Sequence, residues 1–254
     1  MAFLSKSWRT LVALLLLFIT WETMVRLLEI PQWLLPSPLK IFQEAALNWS
    51  DFSVHLLSTL RLSLSGFAIG TAIGLLTAII LFLVPFLKDS LYPLLILSQN
   101  IPTIVLAPLL VIWFGFGALP KLIVITLVCF FPVTVASLDG FKQTPAELRH
   151  YLSMAGANKN QLFWKLEFPS ALPAIFSGLK ISATYSVMGA VISEWLGAKE
   201  GIGVYMTLAS SSFRTDRVFV AIFAIMILSL LFFACIMIIE RFVVRWKTKG
   251  GDSR

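Results

Sequence analysis

Few residues in this 254-residue chain have the type and spacing to do chemistry. His55 and His150 are the only histidines. They lie far apart and, by the topology derived below, on opposite sides of a membrane, so they form no convergent acid-base or metal-ligating set. Cys129 and Cys235 each fall inside an apolar stretch without metal-site spacing, where a small buried hydrophobe is the simplest reading. No G-x-x-x-x-G-K-[ST] loop occurs, so the chain cannot cradle ATP by that route. Nor do the apolar stretches hold the Asp/Glu/His clusters of a proton or ion relay, which places any energy source in a partner. Three polar clusters remain. Ser98, Gln99 and Asn100 precede Pro102, and with Pro108 the two prolines break the hydrogen-bond ladder of one apolar helix. That arrangement suits either a polar gap on a solute pathway or a simple kinked helix. Tyr185 and Met188 sit in a later apolar stretch, and Glu194 at its outer end reads as an interfacial residue rather than a proton carrier. Arg61 and Lys180 are placed to snorkel. Cofactor and metal are not expected, and a membrane-embedded enzyme lacks its catalytic groups.

The elements that must position these residues are membrane helices. The chain is 58% hydrophobic and 13% charged, with a mean hydropathy of +0.90, far more apolar than a soluble average. Its apolar blocks reach the about 20 residues that a spanning helix needs and lack the alternation of a barrel strand. An all-α polytopic fold follows, with about six spans near 11–28, 60–84, 91–114, 120–138, 172–195 and 218–240. The third and fifth carry enough Pro, Gly, Ser and Thr to be broken or tilted. The first has no small-residue cleavage site after it (Trp21, Glu22, Thr23, Met24) and reads as a retained anchor. Lys6, Arg9, Lys88, Lys142, Arg149, Lys159, Lys165, Arg241, Arg245, Lys247, Lys249 and Arg254 gather on one side, against Lys40, Lys121, Lys199, Arg214 and Arg217 on the other. The richer side is cytoplasmic, with both termini. Basic juxtamembrane residues facing anionic lipid account for the net charge of +7, and no nucleic-acid partner is implied. Three regions are expected: 1–53, an anchor helix with an outer amphipathic segment; 54–243, the transmembrane domain; and 244–254, a basic cytoplasmic tail.

Two loops are long. Residues 39–57 set Leu39, Ile41, Phe42, Ala45, Ala46 and Trp49 against Lys40, Gln43, Glu44 and Asn48, an amphipathic stretch for the outer interface with Trp33 and Trp49 at headgroup level. Residues 139–171 carry ordered signals. Thr144-Pro145-Ala146-Glu147 predicts a capping box that opens a helix, and Gly156 fits its end. Asn158 with Gln161 starts a second short helix that stops before Pro169, leaving Leu162, Phe163 and Trp164 exposed for docking. Gly66, Gly70, Gly74 and Ala78 recur every four positions and give the second span one smooth packing face, whose neighbour belongs to this copy or to a second one.

The run from Gly156 through nine residues to Leu166-Glu167-Phe168-Pro169 resembles the cytoplasmic loop signature of binding-protein-dependent ABC importer permeases. Where that signature opens with Glu-Ala-Ala, this chain has His150-Tyr151-Leu152. Leu35-Pro36-Ser37-Pro38, Thr59-Leu60-Arg61 through Gly66-Phe67, Asn100-Ile101-Pro102 through Trp113-Phe114-Gly115, Phe130-Phe131-Pro132, and Glu194 through Gly201-Ile202-Gly203 extend the likeness over nearly the whole chain. They are similar to the permeases for aliphatic sulfonates, taurine, nitrate and thiamine pyrimidine precursors. The resemblance implies a type I ABC importer transmembrane fold in the inner membrane of a prokaryote and a transport subunit without its own ATPase activity. Its implied partners are two copies of a cytoplasmic ATP-binding subunit, a second permease copy as a homodimer, and an extracytoplasmic solute-binding protein delivering a small-molecule solute. An ATPase-coupling loop would comprise His150, Tyr151, Ala155, Gly156, Ala157, Leu162, Trp164, Glu167 and Pro169. Ser98, Gln99, Asn100, Pro102, Tyr185, Met188 and Glu194 are the candidate pathway. Segment 177–206 looks most like the pyrimidine-precursor branch, with sulfonate, taurine or nitrate as the alternative. A structural membrane anchor fits the loop but leaves the prolines of the third span without a role.

Overall fold

The structure is a computed structural model and describes residues 2–244. The expected basic tail lies, from residue 245 on, outside the described residues. Among the described residues the chain is helical with no strand. Among the described residues five helices are long and apolar enough to cross a membrane, and a bent helix pair reaches that length and apolarity when its two helices are taken together.

Helix α1, Ala2–Leu27, leads to α2, Pro38–Leu47, whose start is fixed by Pro38 in the first turn and by Ser37, the hydroxyl of which accepts the Lys40 N–H. The amphipathic stretch therefore ends at Leu47 and not near residue 57. Nor does it lie as a purely surface helix: Ile41 and Glu44 are buried. α3 spans Trp49–Leu83, beginning eleven residues before the expected 60. At about 1.5 Å per residue it is roughly 50 Å long, more than a hydrocarbon layer needs, and the mixed polarity of its first turns hid them from a search for apolar blocks.

α4, Pro85–Ser98, and α5, Thr103–Phe114, replace the single third span and meet at 97°. Pro102, with no N–H to continue the α4 ladder, sits at the amino-terminal cap of α5. α6, Ala118–Lys142, follows the turn at Gly115. α7, Ala146–Met154, and α8, Lys159–Leu162, form the loop. α8 does not stop before Pro169. It runs through a widened π turn, Phe163–Glu167, into α9, Phe168–Glu194, where Pro169 lies in the first turn and the wider turn absorbs the missing N–H. The fifth span is thus unbroken. α10, Ile202–Ser211, was not foreseen, and α11, Thr215–Val243, closes the fold.

The centre is α3, α6 and α9 packed on one another. Gly66, Gly70 and Gly74 face α6 of the same chain, which answers whose neighbour they serve. A methyl group on Gly70 would stand 2.7 Å from both Cys129 Cβ and the Thr126 carbonyl oxygen, so only glycine permits this approach. Lipid tails give helices no hydrophobic reason to associate, so close contact and interhelical hydrogen bonds hold them together. Thr134 donates to the Gly74 carbonyl at 3.1 Å, and Ser182 donates to that of Cys129 at 2.8 Å. Lys180 does not snorkel: its ammonium pairs with Glu240 on α11 at 2.8 Å, which neutralises both within the helix bundle.

Candidate functional site

The 97° break places polar groups beside an open cavity of about 530 Å3. Its lining includes Gln99, Pro102, Thr103, Phe131, Pro132 and Tyr185, so three of the expected pathway residues (Gln99, Pro102 and Tyr185) are brought together. The other candidates are placed elsewhere. Ser98 lines a neighbouring, more apolar cavity of about 460 Å3 and donates to the Leu95 carbonyl at 2.9 Å. Asn100 donates to the Ile96 carbonyl, also at 2.9 Å. Both side chains are thus committed to carbonyls of the last turn of α4. Met188 is exposed on the α9 face that carries Tyr185, without lining the cavity.

Glu194 corrects the sequence reading. It is 1% exposed, not interfacial, because it is the centre of a clasp. Its carboxylate accepts the Thr59 hydroxyl at 2.7 Å and the Gly203 N–H at 2.8 Å. The Thr59 oxygen accepts the Ile202 N–H at 2.8 Å, and His55 Nδ1 accepts the Gly201 N–H at 3.0 Å. Three successive N–H groups at the start of α10 are therefore capped by side chains of α3 and α9, which locks three helices together. Gly201, at φ +132°, has no room for a side chain, since one would strike the Glu194 carboxylate. Next to the clasp, Glu44 pairs with Arg214 and Arg217, each at 2.8 Å, and joins α2 to the start of α11. Hydrogen bonding to Asp216 pushes the Arg214 pKa further up, so this guanidinium stays charged.

At the other end of the bundle, the loop is built on Gly156. Its φ of +85° follows a Schellman turn, in which Gly156 N–H reaches the Ser153 carbonyl at 3.1 Å and Ala157 N–H that of Leu152 at 3.0 Å. The Asn158–Gln161 capping box forms in both directions, at 2.8 and 3.0 Å. The Thr144–Glu147 box does not. The helix begins one residue later than that pattern requires, Pro145 occupies the cap, and the Thr144 hydroxyl is buried without a partner among the described residues.

His150, Tyr151, Ala155 and Gly156 are exposed, and Ala157, Leu162 and Pro169 half-buried. Tyr151, Met154 and Trp164 are 67%, 73% and 52% exposed. Phe163, expected to be exposed, is 1% exposed: the π turn aims it inward against Phe82, Phe141 and Phe168. Glu167 is buried and bound to Arg149 at 2.9 Å, which ties α7 to the π turn. The loop thus presents an apolar face outward and anchors one ring in the α3–α6 core.

A bundle of spanning helices, a broken span beside a cavity and a braced loop with an exposed apolar face define the membrane-spanning subunit of a transport system. Residues 70–249 match the model of the binding-protein-dependent transport system inner membrane components, and the chain belongs to that family. Over 236 residues it is 38% identical to the formylaminopyrimidine transport permease protein ThiX of Halalkalibacterium halodurans, covering 92% of this chain and 94% of that protein. It is 32% identical over 241 residues to the riboflavin transport system permease protein RibX of Chloroflexus aurantiacus, covering 93% and 89% respectively. A solved amino acid ABC transporter with histidines shares the fold, with a TM-score of 0.63 at 15% identity over 77% of this chain and 97% of that one. The protein is a multi-pass inner-membrane permease subunit of an ABC importer and not an enzyme. Family membership implies an ATP-binding subunit and a solute-binding protein as partners.

Proposed function

We propose that two copies of this chain, with two ATP-binding subunits, form the pathway for a pyrimidine-type solute handed over by a solute-binding protein. In this reading the termini and residues 139–171 are cytoplasmic, and residues 54–243 make up the transmembrane domain proper. The observation that carries it is the loop: Tyr151, Met154 and Trp164 offer apolar area to a partner while Phe163 plugs the same segment into the core. A force applied to the loop therefore moves α3 and α6. The transport named for the 38% identical relative supports the solute class. Sulfonate, taurine or nitrate is the alternative.

The orientation has a direct check. In intact cells, Lys159→Cys is expected to resist a membrane-impermeant maleimide and to react after permeabilisation, whereas Lys199→Cys reacts in both. Labelling of Lys159→Cys from outside would reverse the topology.

A further inference from the structure

We infer that the cavity at the broken span is a selectivity site for an uncharged, planar heteroaromatic solute, read by the Gln99 amide and by the ring and hydroxyl of Tyr185. This rests on the proposed transport of a pyrimidine-type solute and adds that the permease itself discriminates.

The first support is which polar groups are unspent. Ser98 and Asn100 satisfy carbonyls of α4, but among the described residues the Gln99 amide and the Tyr185 hydroxyl have no hydrogen-bond partner, and both line the cavity. A second support is the backbone. Pro132 lacks the N–H that the Val128 carbonyl would accept in a regular helix, and both residues line the same space. Across the cavity, α5 starts at Thr103 with no side-chain cap, which leaves N–H donors at that edge.

These groups make a pattern. A ring nitrogen accepts from the α5 edge or from the Gln99 amide. An exocyclic amine donates to the Val128 carbonyl or the Gln99 oxygen. The ring stacks on Tyr185 or Phe131. The third support is charge. Among the described residues no Lys, Arg, His, Asp or Glu lines the cavity. A sulfonate or nitrate there would shed water with only the partial charge of a helix end to replace it, whereas a neutral heterocycle exchanges one set of hydrogen bonds for another. The volume of about 530 Å3 falls in the range of small-molecule sites and takes a one-ring solute with accompanying water.

The test uses the full complex in liposomes, with labelled formylaminopyrimidine as probe and ethanesulfonate as anionic control. Tyr185→Ala and Gln99→Ala are each expected to lower the initial uptake rate of the pyrimidine about tenfold, the order of one lost stacking or hydrogen-bonding contact. Tyr185→Trp keeps a stacking ring and is expected to stay within about threefold of wild type. Size-exclusion profiles confirm equal assembly. Should Tyr185→Ala fail to assemble, the comparison of Tyr185→Trp with Gln99→Ala decides. Wild-type pyrimidine rates in the assembled alanine variants would overturn the selectivity site while leaving the proposed function intact. A wild-type complex that carries ethanesulfonate and not the pyrimidine would overturn the proposed solute class and this site with it.

Discussion

Replacing Gly156 by valine is expected to reduce ATP-driven uptake by about tenfold or more while the amount of inserted protein stays normal. Gly156 has φ +85°, and a Cβ added there would meet nothing within 4 Å, so the penalty comes from backbone conformation and not from a clash. For an L-residue the left-handed region costs about 1–2 kcal/mol, and β-branching adds to it. Every 1.4 kcal/mol is about a factor of ten in population. If the loop escapes the strain by leaving the Schellman turn, α8 changes direction relative to α7, and with it the placement of the exposed Trp164 relative to the exposed Tyr151 and Met154. The affinity of the ATP-binding subunit then falls with the fraction of loops still in the docking geometry. The spans are untouched, which is why insertion survives. Asn tolerates the left-handed region, so Gly156→Asn is expected to retain most activity. Co-purification of the ATP-binding subunit, uptake and protein level, measured together, separate these outcomes. Full uptake by Gly156→Val at normal expression would remove the coupling role from this glycine.

The second large effect is structural and lies at the opposite end of the bundle. Glu194→Ala leaves the Gly203 N–H without its acceptor in a buried site and takes from the Thr59 hydroxyl its shorter hydrogen bond, leaving it the His55 carbonyl at 3.2 Å. At about 1–3 kcal/mol for the orphaned N–H and about 1 kcal/mol for the weakened hydroxyl bond, the loss is roughly 2–4 kcal/mol, before any cavity term. The thermal midpoint of the purified complex is expected to fall by roughly 6–10 °C. Glu194→Gln fills the same volume and keeps one acceptor oxygen, so its decrease should be clearly smaller. A midpoint for Glu194→Ala within a degree of wild type would show that the clasp does not hold α3, α9 and α10 together.

The contrast between these two residues shows what the sequence could reveal. Gly156 was legible because its signal is local: a helix pattern ends, a glycine follows, and Asn158 with Gln161 starts the next turn. Glu194 was not, because its partner Thr59 is 135 residues away and nothing in a helix-end glutamate says whether it faces water or a threonine. The five long spanning helices and the apolar block that becomes the bent pair were legible from apolar length. The start of α3 was not, since its first turns mix Ser50, Asp51, Ser53 and His55 with apolar residues. Phe163 was misread for a related reason. In a loop segment each apolar residue looks available for docking, and only the π turn at Phe163–Glu167 decides that Phe163 turns inward while Trp164 turns outward. Of the candidate pathway residues only Gln99, Pro102 and Tyr185 meet at one cavity, and which polar side chains there remain free is set by hydrogen bonds within α4 that the sequence does not show.

The claim that the 139–171 loop joins ATP hydrolysis to the spans is tested most directly by site-specific cross-linking in the assembled complex. Met154→Cys and Trp164→Cys, on the exposed face of the loop, are expected to cross-link to the ATP-binding subunit and to arrest ATP-driven uptake once linked, whereas Lys199→Cys at the opposite end forms no such product. Cross-linking from Lys199→Cys together with none from Met154→Cys or Trp164→Cys would contradict the account.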